Sequence, residues 1–127
     1  MTLEEYINYC QAKPGVTIES PMGPGSIWIK VMGKMFSLTN TDDLKMGKEI
    51  VPPFHFINLK CDPERAIELR EQHPSIRGGW HQSKVHWNSI YMDGTVNDSL
   101  VYELIDHAYD IVVQSLPKKL QQELKSL

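Results

Sequence analysis

Residues 98–116 carry the feature that most limits the fold. Leu100, Val101, Leu104, Ile105, Ala108, Ile111, Val112, Ser115 and Leu116 recur at intervals of three and four. That spacing lines one side of a helix with a broad apolar stripe. Such a stripe needs a second apolar surface to cover it. The chain offers one in a different period. Ile27, Ile29 and Val31 alternate with Trp28, Lys30 and Met32, which is strand spacing. "MGK" at 32–34 signals a turn, and Met35, Phe36, Ser37 and Leu38 run back from it. A hairpin is therefore expected. "FHFINLKC" at 54–61 alternates again, with Phe54, Phe56 and Asn58 on one side and His55, Ile57 and Leu59 on the other.

The remaining segments fill in the order. "TLEEYINYCQA" at 2–12 reads as a short helix: Thr2 and Glu5 have the capping-box spacing, and Leu3, Tyr6, Ile7 and Cys10 share a face. "KPG" at 13–15 ends it. "VTIES" at 16–20 is a candidate earlier strand, set off by "PMGPG", and 40–49 is a polar connection. Asp62 and Pro63 have the N-cap and N1 chemistry that opens a second helix, its inner edge marked by Ala66, Ile67 and Leu69 or Arg70. Residues 76–91 return to strand composition, and "DGTVND" at 93–98 is a turn and a cap. Pro117 breaks the long helix, leaving 117–127 as a short terminal helix or frayed tail. Helix, strands, helix, strands, helix, with short connections, predicts the α+β class: an antiparallel β-sheet with helices packed on one side, in a single domain spanning 1–127.

Composition narrows the function classes. Apolar residues make up 41% and charged residues 23% of the chain, as in a soluble globular protein. Cys10 and Cys61 lie in no CxxC pair, so free thiols in a reducing compartment are expected. "MTLEEYINYC" carries glutamates where a secretory signal carries lysines, and no segment is apolar enough to span a bilayer. A cytoplasmic location without membrane partners is the expectation. The net charge of −3 excludes a generally basic nucleic-acid binder. Residues 51–90 nonetheless hold Lys60, Arg65, Arg70, Arg77 and Lys84 together with four of the five histidines.

Those histidines focus attention on "HPSIRGGWHQSKVHWN" at 73–88, which contains no acid. His73, His81 and His86 are spaced H-x7-H-x4-H, which matches no zinc-binding pattern. His81 and His86 would point to opposite faces of one strand, so no metal is expected. Ser83 and Ser89 lack triad surroundings, and "GPGS" at 23–26 lacks the lysine and length of a phosphate loop. No catalytic residues and no enzymatic activity are expected. Glu103, His107, Asp110 and Gln114 form a polar stripe on the long helix, read as a solvated face, with a weak cation or partner site as the alternative. The 73–88 stretch fits nucleic acid better. Arg77 and Lys84 suit phosphates, Trp80 and Trp87 offer stacking surface, and His81, Gln82, Ser83 and Asn88 offer polar contacts. Gly78–Gly79 lets the backbone turn or approach closely.

"HPSIRGGWHQSKVHWNSI" (73–90) resembles the signature region of the MmcQ/YjbR family of small bacterial proteins. "GKMFSL" (33–38), "NLKCDPERAIELRE" (58–71) and "ELIDHAYDIVV" (103–113) resemble other parts of that family in the same order. The resemblance implies a CyaY-like (frataxin-like) fold and DNA binding through a double wing of β-hairpins, with no enzymatic activity and no cofactor. Position by position it places His73, Pro74, Ile76, Arg77, Gly79, His81, Lys84, His86, Trp87 and Asn88 on the family pattern, with Trp80 at an aromatic position. Gly78 stands for a usual proline, Gln82–Ser83 for a Met-Asn-like pair, and Val85 where a second basic residue is common. Frataxins carry a dense acidic ridge on the first helix, whereas this helix offers only Glu4 and Glu5, so iron is not implied. Arg77, Trp80, His81, Gln82 and Lys84 are thus the candidate DNA contacts. His73, Pro74, Gly79, His86, Trp87 and Asn88 form the structural frame. The alternative is a protein-interaction or small-ligand module centred on Trp80 and Gly78–Gly79. An enzyme would require two of His73, His81 and His86 beside an acid in one pocket.

Overall fold

The computed structural model describes residues 1–21, 25–40, 56–80 and 82–127. Among the described residues, six strands form one antiparallel sheet in the order β1-β2-β3-β4-β6-β5. They are β1 (Val16–Glu19), β2 (Ser26–Val31), β3 (Lys34–Asn40), β4 (Phe56–Lys60), β5 (Ile76–Gly78) and β6 (Trp87–Tyr91). The helices α1 (Leu3–Gln11), α2 (Pro63–Gln72), α3 (Asp98–Ser115) and α4 (Lys118–Lys125) pack alongside. The α+β class read from the changes of period is the one observed. Most of the polar connection at 40–49, together with Phe54, His55 and His81, lies outside the described residues.

Local chemistry accounts for the element ends. In α1 the Glu5 amide donates to Thr2 Oγ1 at 3.1 Å and the Thr2 amide donates to Glu5 Oε1 at 2.9 Å, completing the capping box. This interaction also holds the Glu5 carboxyl below its ordinary range. The β2–β3 turn places Met32 at φ 49° and Gly33 at φ 85°, the left-handed pair that matches the twist of a tight hairpin. Asp62 caps α2 by accepting from the Arg65 amide at 3.1 Å, and Asn97 caps α3 by accepting from the Ser99 amide at 2.8 Å. Helix α4 is formed, with Leu124 buried and Gln121 Nε2 donating to the Leu116 carbonyl at 2.8 Å.

Val101, Leu104, Ile105, Ala108 and Val112 of α3 meet Ile29, Ile57, Leu59 and Ile90 of the sheet in one core. Opposite Ile29 and Lys30 of β2, the strand β3 carries Phe36 as an extra residue, and this bulge lets both Phe36 and Ser37 turn toward the helices. Phe36 meets Tyr109 of α3 edge-on at 5.5 Å, and Ser37 Oγ lies 2.6 Å from the Tyr6 hydroxyl of α1. Phe56, Ile57, Asn58 and Leu59 are all buried, so β4 is covered on both faces. Ile67 corrects the expected inner edge of α2. Ala66 and Leu69 face the sheet, and Ile67, a quarter-turn away from that line, is 52% exposed.

The polar stripe of α3 is not simply a solvated face. Glu103 Oε1 accepts from Arg65 Nη2 at 3.0 Å, and His107 Nε2 accepts from the Asp62 amide at 3.2 Å. Two of its four members therefore tie α3 to the start of α2. A second tether joins α1 to α3. Lys13 Nζ lies 2.5 Å from Asp106 Oδ1, 5.0 Å from the centre of the Tyr9 ring and 5.1 Å from that of Tyr109. The Tyr9 hydroxyl donates to the same carboxylate oxygen at 2.7 Å, and this contact raises the phenol to about 12.

Two expectations follow from these tethers. Lys13→Met keeps the aliphatic stem but removes the cation, and should cost about 1–2 kcal/mol in urea unfolding. His107 accepts a backbone proton only when neutral. Burial, then the Arg65 charge, lowers it from its ordinary 6.5, against the opposing pull of Asp62, Asp110 and Glu103. Just below pH 6.5 the unfolded chain then binds more protons than the folded one, so stability falls as pH falls through that window. In His107→Gln the amide oxygen can accept without titrating. The drop in unfolding midpoint between about pH 7 and about pH 5 should be smaller than in the native protein.

Candidate nucleic-acid interface

The 73–88 stretch begins at the end of α2. His73 closes that helix, its amide donating to the Leu69 carbonyl at 2.9 Å, and its own carbonyl accepts from the Ile76 amide at 3.0 Å. Exposed Pro74 lies between these bonds. Buried Ser75 then bonds Thr95 Oγ1 at 2.7 Å and donates to Asp93. The Ser75 bond, with Thr95 behind it, holds the Asp93 carboxyl below its ordinary range. Strand β5 pairs Ile76, Arg77 and Gly78 with Ile90, Ser89 and Asn88 of β6. One further bond, Gly79 amide to Trp87 carbonyl at 2.9 Å, ends the pairing.

Beyond Gly79 the chain is fastened to the sheet face that carries Phe56, Asn58 and Ser89. The Trp80 amide donates to Ser89 Oγ at 2.8 Å, and the Trp80 carbonyl accepts from Asn58 Nδ2 at 2.8 Å. Ser89 Oγ in turn donates to Asn58 Oδ1, closing a ring of three residues. The Trp80 indole packs on Phe56 at 5.5 Å and is half-buried. Gly79 makes the approach possible, because a Cβ there would lie 2.5 Å from Trp87 Cβ and 3.2 Å from the Trp87 carbonyl atoms.

The cations are held by main-chain oxygens. Lys84 Nζ donates to the Gly79 carbonyl at 2.6 Å, and Arg70 Nη1 donates to the Lys84 carbonyl at 2.8 Å. The Arg77 guanidinium lies 4.8 Å from the centre of the Tyr91 ring. Lys60, the cross-strand partner of Trp87, places its ammonium 5.3 Å from the centre of that indole. Burial, then the Lys34 charge, lowers the Lys60 ammonium from the ordinary lysine value. Among the described residues, Lys60, Arg70 and Lys84 have no carboxylate within ion-pair reach, whereas Lys13, Lys30 and Arg65 each do. The structure thus joins Lys84 to Arg70 beside Gly78, on the side of the sheet that α2 covers, whereas Arg77 and Lys60 stand over Tyr91 and Trp87 on its other face. Arg70 and Lys60 are residues that sequence reasoning did not place in the site. Cross-strand pairing with an aromatic residue was a possible signal for Lys60. Arg70 had none, because its contact with Lys84 exists only once α2 docks beside the hairpin.

The other candidates divide. Gln82 is half-buried, its amide donating to the Gly79 carbonyl at 3.2 Å. The His86 carbonyl accepts from the Cys61 amide at 2.8 Å while its side chain is exposed. Trp87 and Asn88 are buried, and Asn88 Nδ2 donates to the Ala66 carbonyl of α2 at 3.2 Å. His73, Gly79 and Asn88 thus make the contacts that join α2, β5 and β6. Burial pushes the thiols of Cys10 and Cys61 up to about 12 and about 11, so neither is a ready nucleophile.

The family model described as YjbR matches residues 11–111. The protein YjbR of Escherichia coli K12 is 32% identical over 127 residues, all of each chain. YbdF of Escherichia coli O157:H7 is 34% identical over 112 residues, covering 88% of this chain and 84% of that one. The crystal structure of Deinococcus radiodurans protein DR2400, with family-model domain DUF419, superposes with a TM-score of 0.82 at 33% identity, covering 98% of this chain and 88% of that one. A Pseudomonas syringae protein superposes with a TM-score of 0.73 at 22% identity over 87% of this chain and 98% of its own, a likeness of fold.

The two neighbouring glycines provide a check on the loop geometry. A Cβ at Gly79 meets the Trp87 Cβ and main chain, whereas one at Gly78 meets mainly the movable Lys84 stem. Gly79→Ala should lower stability by about 1–3 kcal/mol. Gly78→Ala should cost visibly less in the same thermal or denaturant unfolding experiment.

Proposed function

The chain belongs to the YjbR family, and we propose that it binds nucleic acid through the cationic rim of the β5–β6 hairpin. The observation that carries this reading is the way Arg70 and Lys84 are held. Each donates to a main-chain carbonyl rather than to a carboxylate, so its charge is positioned without being neutralised. Fixed cations with spare donors suit phosphate oxygens. In this reading Arg77 and Lys84 contact the backbone of the nucleic acid, with Arg70 beside Lys84 and Lys60 on the sheet face that carries Arg77. His81 and Gln82 supply polar contacts, and Trp80 presents the exposed part of its half-buried side chain. The hairpins β2–β3 and β5–β6 are read as the two wings of a CyaY-like, double-wing arrangement. The protein acts without catalysis, in the cytoplasm, a location that two buried free thiols suit.

A second reading has its own observation. Ile67 and Val85, 52% and 58% exposed, lie on the two elements that the Arg70–Lys84 bond joins. Exposed aliphatics beside cations also suit a protein partner.

Titration of labelled duplex and single-stranded DNA across a salt series distinguishes the two. Binding should be detectable at about 50 mM salt and weaken steeply as salt rises. Arg77→Ala combined with Lys84→Ala should flatten the duplex salt slope by about 2, since each lost phosphate contact removes about 0.9. No binding at about 50 mM salt, or an unchanged double variant, sinks the nucleic-acid reading. Recovery of a protein partner without nucleic acid favours the second.

A further inference from the structure

The outward face of α2 and the end of the β5–β6 hairpin form adjoining patches of opposite charge, each with an aliphatic residue at its centre. On α2, Glu64, Ile67, Glu68 and Glu71 are exposed at positions i, i+3, i+4 and i+7, one side of the helix. Among the described residues none of these three carboxylates has a cationic partner. On the hairpin, Val85 follows Lys84, with Arg70 reaching in from α2. The Arg70–Lys84 bond fastens one patch beside the other. Ile67 and Val85 are also the large aliphatics most exposed in the described chain, apart from Leu127 at the C-terminus.

We propose that this double patch docks a second copy of the same chain about a twofold axis. A twofold interface must be self-complementary, so that what one patch offers its neighbour in the other copy accepts. Here Val85 of each copy covers Ile67 of the other, and Lys84 and Arg70 of each face the glutamate row of the other. Charge complementarity selects a second copy over a uniformly acidic or basic partner, because either of those would meet repulsion at half of the surface. Few aliphatic side chains are involved, and exposed ion pairs contribute little individually. The dimer is therefore weak and exchanges rapidly, on the order of 10–500 μM in dissociation constant, as suits an interface below the size of a stable complex.

Sedimentation of the full chain, free of nucleic acid, tests this independently of the reading above, since failure of DNA to bind leaves the dimer untouched. From about 10 μM to about 1 mM at about 50 mM salt, the weight-average mass should rise from one chain toward two. Glu68→Lys has no cationic partner to lose among the described residues, and should weaken self-association at least about tenfold, as should Ile67→Ser. Lys84→Glu alone should also be monomeric. Mixing it with Glu68→Lys should restore a mixed dimer, because both cross-contacts then join opposite charges. Should Lys84→Glu fail to fold, Glu68→Lys and Ile67→Ser decide the matter alone. A chain that stays monomeric to about 1 mM overturns the proposal, as does a dimer that those two substitutions leave intact.

Discussion

The closed ring of Asn58, Ser89 and the Trp80 main chain is the interaction on which the candidate site depends. Asn58 and Ser89 are neighbours across β4 and β6, and both are fully buried. Buried amide and hydroxyl groups are costly unless each donor and acceptor is used. Together they use the amide and carbonyl of a single residue in the loop above them. The loop cannot lift at Trp80 without stranding polar atoms inside the sheet. That fixes Gly79 against Trp87, and the Gly79 carbonyl then becomes the acceptor for the Lys84 ammonium. A polar pair in the middle of a sheet thereby determines where a surface charge sits.

The same ring changes the physical picture of the hairpin. A wing that projects freely would carry its aromatics outward, available to a base or a groove. Here the Trp80 indole rests on Phe56, and Phe56 also meets Tyr91 at 5.9 Å. Tyr91 and Trp87 have cations of the same chain near their rings. The aromatic surface serves mainly to set the height and angle of Arg77 and Lys60. What remains toward solvent is charge on a rigid support, and rigidity lowers the entropic cost of using that charge.

The parts of this molecule governed by near neighbours were legible in the sequence. Capping at Thr2, Asp62 and Asn97, the turn at Met32–Gly33 and the stripe of α3 all depend on residues a few positions apart, and the spacing alone places them. The motifs at 33–38, 58–71, 73–90 and 103–113 also pointed to the family that the comparisons show. Ile67 was misplaced because the rotation of α2 about its axis is set by Ala66 and Leu69 against the sheet, and the helix pattern permitted either edge. Arg65–Glu103 and Asp62–His107 were invisible for a related reason. Residues about forty positions apart meet only after two helices have docked, and no local period records that event. Arg70 belongs to the same class.

The acidic balance of the whole chain is less of an obstacle to an anionic partner than it first appears. Coulombic attraction between exposed groups decays over about 8–10 Å in physiological salt, so distant charges are screened while adjacent ones are not. Part of the acidic excess lies on α3, where Glu103 and Asp106 are engaged by Arg65 and Lys13. What bears on the hairpin is the nearby row Glu64, Glu68 and Glu71, one helix face away from Arg70. That row sets a direction. The proposed polyanion would meet Arg77 on the sheet face away from α2, and would be repelled as it neared the outer face of α2. For the proposed nucleic-acid partner, the glutamate row therefore favours a path along β5 and β6 rather than across α2.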